Sequence, residues 1–412
     1  TRKIKVLHKI LRGLPHTRGD RFMANIIYIG LDVHKEKIQA CAFLAAYGFG
    51  EDRVLANIEL GGNYQEIIKF ASTLKKKFGK ETRFVCGYEA GCLGYSLCRH
   101  LQRCDIECHI MAPTTMSKEP GVRIKTDRRD AEMIARCLAY NTYKGVHLLD
   151  EEDESVRDYI RMRDDFKQML KVVKQKILAL LLRLGIRCDT CKTPWTQKHL
   201  QWLKNVDMGK GLNRETLDEY LKELDHLKDR IDNFDTRIHE LCDTERYKEN
   251  VKKLICFPGI KEHTALSFIS EIGDFTRFGK AKNFAAFLGL VPGEQSSGSK
   301  VHRTALTKSG NIHLRRLATE AAQAAIRSSP SYKSKALKAR QEGAPEEVIA
   351  YADRARDRII RKYKKMIRGE DLLGGHKAHN VVVAAVAREM SCFICGMMNG
   401  WYDGADSDKL QT

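Results

Sequence analysis

The sequence predicts an α/β domain, then a long helical region, then a mostly α-helical C-terminal domain. Three observations carry this reading. Short apolar runs alternate with helically spaced segments in the order β-β-β-α-β-α-β-α from Ile26 to the helix opening at Asp127. From residue 150 apolar residues recur every three or four positions through highly charged sequence. From residue 249 short apolar helices are joined by a Pro-Gly turn. The expected boundaries are a basic extension over 1–24, the α/β domain over 25–149, the helical region over 150–248, the C-terminal domain over 249–400 and a polar tail over 401–412.

The first element is Ile26-Ile27-Tyr28-Ile29-Gly30-Leu31-Asp32, an apolar run of the kind that is buried on both faces of a sheet, ending near Asp32. Lys37 to Phe43 and Arg53 to Ile58 follow as strands, separated by the turn glycines Gly48 and Gly50, which suggests an antiparallel meander. Asn63 to Phe78 has helical spacing (Ile67, Ile68, Phe70, Ala71, Leu74). Arg83 to Tyr88 is a strand, Tyr95 to Leu101 a helix, Ile106 to Met111 a strand, and Asp127 begins another helix. Three antiparallel strands running on into α/β units is the order of the RNase H-like fold, shared by carboxylate-metal nucleases, integrases and actin-like ATPases.

Four acids fall at element ends. Asp32 ends the first strand, Glu89 ends the fourth, and Asp127 and Asp130 open the closing helix one turn apart on one face. Strands one and four are neighbours in such a sheet, so the four carboxylates can meet at one edge. Carboxylates that converge repel unless a cation is shared, and an oxygen-rich set suits Mg²⁺. Each acid also has an ordinary reading, Asp32 as a turn residue and the other three as helix-starting acids.

In the helical region Tyr159, Met162, Phe166, Met169, Val173, Ile177, Leu180 and Leu184 form one stripe, and Leu217, Tyr220, Leu224, Leu227, Ile231, Phe234, Ile238 and Leu241 another. Two long antiparallel helices are expected, either burying the stripe internally or pairing protomers as a coiled coil. Beyond them, Phe257-Pro258-Gly259-Ile260 before a new helix resembles a helix-hairpin-helix phosphate grip. Ser296, Ser297 and Ser299 then lie in a loop with Lys300 and Arg303, the residue types required by a phosphodiester-attacking nucleophile or by a plain phosphate-binding loop.

Lys+Arg 72 against Asp+Glu 53 gives a net charge of +19, which favours a polyanionic partner, nucleic acid first. A membrane surface is the competitor; no uninterrupted apolar stretch of membrane-spanning length, signal peptide or lipidation motif speaks for it, so no membrane partner and a cytoplasmic location are expected. The 13 cysteines sit mostly singly in apolar stretches, the pattern of free thiols in a reducing compartment. Cys188/Cys191 and Cys392/Cys395 could share zinc, but lie far apart in sequence without a local second pair, and ordinary thiols are expected.

These motifs together resemble the transposases of insertion-sequence family 110, which join an RuvC-like acidic domain to a serine-bearing transposase domain. The resemblance runs in order through Ile29 to Lys35, Tyr88 to Gly91, Ala112-Pro113, Lys125 to Ala131, Pro258 to Ile260, Gly289 to Pro292, Ser297-Gly298 and Thr307 to Asn311, and so covers most of the chain after Met23. It implies Asp32, Glu89, Asp127 and Asp130 as a catalytic Mg²⁺-binding quartet and a serine of the later domain as nucleophile. Ser297, which precedes Gly298, is preferred, Ser296 and Ser299 being the alternatives. It also implies a guide RNA that pairs with donor and target DNA, a homo-oligomer (dimer or tetramer), and action on DNA in a prokaryotic cell. The rivals are an RuvC-like Mg-dependent junction nuclease without serine chemistry, an actin-like phosphotransferase lacking its second glycine-rich loop, and a non-catalytic nucleic-acid scaffold.

Overall fold

The computed structural model describes residues 26–46, 51–91, 93–117, 126–294, 303–329, 331–369 and 376–402. The chain divides into two compact units, 1–148 and 149–412.

In the N-terminal unit β1 (Ile26–Val33), β2 (Lys37–Leu44) and β3 (Arg53–Gly61) form the expected antiparallel meander. Next come α1 (Gln65–Phe78), β4 (Arg83–Glu89), α2 (Ser96–Gln102), β5 (Glu107–Met111) and α3 (Asp127–Tyr140). The strand order is β3-β2-β1-β4-β5, with β4 parallel to both β1 and β5, so the RNase H-like order of elements is present. Alternation along β1 decides which helix packs where. Ile27, Ile29 and Leu31 join Ile67, Phe70 and Leu74 of α1 and Leu97 and Leu101 of α2, while Tyr28 turns to the opposite face with Ala131, Ile134, Ala135 and Leu138 of α3. α1 has no side-chain cap. Its buried Ile67, Phe70 and Leu74 contribute about 1.5–3 kcal/mol each, which outweighs the roughly 1 kcal/mol a cap would add.

Gly30 sets how closely α3 approaches the sheet. A side chain there would run into the Ala131 carbonyl and the Ala135 amide, so only glycine lets the backbone of α3 rest on the backbone of β1. A side chain at Gly87 would press on the Leu138 methyl groups rather than on backbone.

The C-terminal unit begins with α4 (Glu151–Arg183), α5 (Gln197–Asn205) and α6 (Asn213–Cys242). The start of α4 packs on the end of α6, Tyr159 and Phe166 meeting Phe234, and its end packs on the start of α6 through Ile177, Leu180, Leu217 and Leu224, so the two run antiparallel. Arg163 clamps Asp235 across them with two bonds of 2.8 and 2.9 Å. Leu217, Leu224, Leu227, Ile231, Phe234 and Ile238 are buried within this chain. Then follow α7 (Lys248–Leu254), α8 (Glu262–Ile272), α9 (Ala281–Phe287), the two-stranded hairpin of β6 (Pro292–Glu294) and β7 (Arg303–Leu306), α10 (Ile312–Arg327), α11 (Lys335–Gln341), α12 (Glu346–Arg368) and α13 (His379–Met398). The Pro258-Gly259 turn joins α7 to α8, and Gly259, at φ 83°, sits tight against Ala321 and Ala324 of α10.

Two sequence expectations meet the structure here, and the second, on the cysteines, is corrected. α13 is long and apolar enough in composition to cross a membrane, interrupted only by Arg388 and Glu389, but 72% of its apolar window is buried inside this unit, as in a core helix. Cys188 and Cys191 are joined as a disulfide rather than standing as free thiols, their three-residue spacing placing the Cα atoms 5.4 Å apart. Cys392 and Cys395 are free thiols buried in α13.

A charged network stitches α4, α8 and α10. His313 places Nε2 3.0 Å from Asp164 Oδ2 and Nδ1 3.0 Å from Glu271 Oε1. Ionised carboxylates only accept, so both ring nitrogens donate and the ring is imidazolium. Glu271 also accepts from Arg161 at 2.7 and 2.9 Å and from Asn311 at 2.8 Å; Asp164 also pairs with Arg316 and lies 3.0 Å from His263 Nε2. Burial alone would raise Glu271, but hydrogen bonds from His313 and Arg161 bring it down to about 2. Burial likewise opposes the hydrogen bond from His313 and the proximity of His263, which hold Asp164 well below the usual carboxylate range. Burial would lower His313, and its bonds to Asp164 and Glu271 raise it instead.

The signs set a window. The carboxylates stabilise this unit above their ordinary values, and that contribution fades as pH falls toward about 2 for Glu271. The imidazolium stabilises it fully below the ordinary histidine value of 6.5 and progressively less as pH rises through the raised folded value. His313→Gln is expected to destabilise the unit by about 3–5 kcal/mol at pH near 6, by leaving buried charge uncompensated. It should also flatten the alkaline limb of melting temperature against pH; an alkaline limb identical to wild type would assign that limb to other groups.

Candidate metal centre

Asp32 is half-buried at the C-terminal end of β1, where the chain turns toward β2. Leu31 pairs with Tyr88, so Asp32 and Glu89 are the next residues on parallel neighbours and leave the sheet at one level. By alternation both fall on the face covered by α3. Thr126 caps α3 by accepting from the Arg129 amide, which starts the helix at Asp127 and puts Asp127 and Asp130 in its first turn. The Asn57 amide donates to the Arg128 carbonyl at 2.9 Å and is itself held by Gln39 at 2.7 Å, fixing that turn against β2 and β3.

One oxygen each from Asp32 and Asp127 and one nitrogen of His34 lie within 4.8 Å of one another, the one such group of metal-ligating side chains among the described residues. His34 Nε2 is 3.3 Å from Asp32 Oδ2, and Lys37 Nζ is 2.5 Å from Asp127 Oδ2. Burial raises Asp32, partly offset by His34 and reinforced by the negative charges of Asp127 and Asp130. The hydrogen bond from Lys37 lowers Asp127. The donor set therefore fits a hard divalent ion. Two carboxylates close enough to repel gain most from a shared cation, and one imidazole is compatible with it. Asp130 acts on Asp32 through its charge, and Glu89, exposed at the end of β4, lies outside the close group.

Sequence reading did not assign roles to His34, Lys37 or Asn57. His34 was within reach of a period-two argument, being two residues beyond Asp32 in extended chain. Lys37 and Asn57 depend on where α3 meets the meander, which no local pattern encodes. Ser296, Ser297, Ser299 and Lys300 lie outside the described residues; β6 and β7, which bracket them in sequence, pair antiparallel.

Two family models match the chain: the DEDD transposase model of the IS110 type over residues 29–186, which includes all four acids, and the Transposase IS116/IS110/IS902 family over residues 251–337. The chain is 31% identical over 347 residues to the transposase for insertion sequence element IS1533 of Leptospira borgpetersenii, covering 84% of this chain and 97% of that one. It is 31% identical over 368 residues to the putative transposase y4qE of Sinorhizobium fredii, covering 89% and 87%. It is also 23% identical over 201 residues to the pilin gene-inverting protein of Moraxella bovis, covering 48% and 52%. With an RNase H-like domain of the DEDD type and near full-length similarity to a transposase, the chain belongs to the IS116/IS110/IS902 family of transposases.

Proposed function

We propose that this transposase cuts and exchanges DNA strands at the ends of an insertion element and at its target, with Mg²⁺ at the acidic site and Ser297 as nucleophile. The observation that carries the reading is the convergence of Asp32, His34 and Asp127 at the end of β1 under the start of α3. Asp32 and Asp127 would hold the ion, with Glu89 and Asp130 at the margin of the same face. The ion, when bound, supplies positive charge to phosphate oxygens as negative charge grows on them.

The chain's own groups frame the rest. Lys37 donates to Asp127 at 2.5 Å and offsets part of its charge. Asp32, raised by burial, competes for a proton as well as for metal, so metal affinity should fall as the solution is acidified. The Ser297 hydroxyl attacks phosphorus and the bond from phosphorus to the sugar oxygen breaks, leaving a serine phosphodiester that conserves the bond energy needed for rejoining. Such exchange suits a homo-oligomer acting on DNA in the cytoplasm of a prokaryotic cell.

Target choice, on this reading, is made by a guide RNA pairing with donor and target DNA. The test is to sequence the nucleic acid that copurifies with the protein and to change its target-pairing bases. Insertion is expected to move to the matching new site; insertion that keeps its original site removes the RNA from the mechanism. A junction nuclease without serine chemistry would give the second family match, over residues 251–337, no part to play.

A further inference from the structure

Within the C-terminal unit, α12 buries Val348, Tyr351, Ala352, Ala355, Ile359 and Ile360 and turns a different face outward. That exposed face carries Arg354, Arg358, Arg361, Lys365 and Arg368, spaced four, three, four and three residues apart. At 3.6 residues per turn this spacing makes one continuous stripe, with successive side chains stacked one above the next. From the first to the last the helix rises about 21 Å, a length over which duplex DNA presents about twelve phosphates.

We infer that this stripe is a contact surface for the backbone of duplex DNA. A charged helix face is ordinarily just solvated, and α6 is an example within the same unit: its exposed cations pair with acids on their own helix, Lys222 with Glu219, Lys228 with Asp225 and Arg237 with Glu240. The α12 stripe has a cation at every one of its five positions. Asp357 at its edge already pairs with Arg356.

Two of the five head groups are also held in place. Arg354 donates to the Tyr402 carbonyl and lies over the Tyr351 ring, and Arg358 reaches Glu389 of α13, a carboxylate only 1% exposed that also takes Lys362 at 2.5 Å. Cations fixed before binding lose less side-chain freedom on meeting a phosphate than free ones do. The chain's net charge of +19 and its membership of a DNA-acting family identify the partner as DNA. The stripe includes none of the acidic-site residues and none of the serines, so binding is read without cleavage.

The experiment uses the full chain and a short fluorescent duplex, with affinity measured across a series of salt concentrations. Replacing Arg361, Lys365 and Arg368 together by Gln, a good helix former, should reduce the slope of log affinity against log salt by about 2.7, about 0.9 for each phosphate left without its cation. Arg361→Lys, Lys365→Arg and Arg368→Lys together keep the charge and should keep the slope, and each single Gln substitution should remove about 0.9 of it. Lys75→Gln, Lys76→Gln and Lys80→Gln together remove the same charge from the N-terminal unit and should change the slope by less than about one unit. The inference is overturned by a wild-type slope in the stripe variant, by equal losses in both triple variants, or by a loss confined to an RNA duplex of the same length.

Discussion

Asp127→Asn is expected to reduce strand cleavage by at least about 10²–10³-fold while leaving DNA retention intact or slightly improved. The amide keeps the shape of the side chain but replaces a charged acceptor with a neutral group that cannot share a divalent ion. Helix α3 keeps its Thr126 cap and the Asn57 bond to Arg128, so the loss is chemical rather than structural. Two secondary effects follow. Lys37 loses the acid at 2.5 Å, and Asp32 loses one of the charges that raise it, so its carboxyl should move back toward the ordinary range. Removing the carboxylate also removes a repulsion toward DNA phosphates, which is why retention should not fall. Chelator should mimic the substitution in the wild-type protein, and added Mg²⁺ should reverse chelation but not the substitution. Cleavage that survives in the variant or proceeds unchanged in chelator would refute the metal site.

The second large effect is expected at Ser297. Ser297→Ala should eliminate the covalent protein-DNA adduct on a denaturing gel and stop recombination, with metal binding at the acidic site unchanged. Breaking and rejoining a phosphodiester without ATP requires that its energy be stored, and a protein ester stores it where attack by water would lose it. Ser297 is preferred over its neighbours because Gly298, having no side chain, leaves room for a backbone phosphate. Ser296→Ala is the control and should retain the adduct. An adduct that persists in Ser297→Ala but vanishes in Ser296→Ala moves the role one residue back, and no adduct in the wild-type protein with metal present removes serine chemistry from the mechanism.

The parts of this protein that could be read in advance are those written in local period or at element ends. β1 was legible as an uninterrupted apolar run because it is buried on both faces, and α4 and α6 as three-four stripes because each buries one side on the other. Asp32 and Asp127 stood out for the same reason, one at a strand end and the other just after a capping threonine. His34, Lys37 and Asn57 did not. Their roles come from the register that sets Asp32 opposite Gln39 and from the seating of α3, both products of tertiary packing. The network around His313 is still less local: Asp164 and Glu271 are brought to it from distant helices, and nothing in either neighbourhood announces a buried charge.

The close approach that Gly30 permits has a consequence for how such a site can vary between proteins. Asp32 and Asp127 are far apart along the chain, yet the span between them is gauged by one backbone resting on another, at Gly30 against Ala131 and Ala135. A single methyl group added at Gly30 would therefore pry the pair apart with every acidic residue still in place.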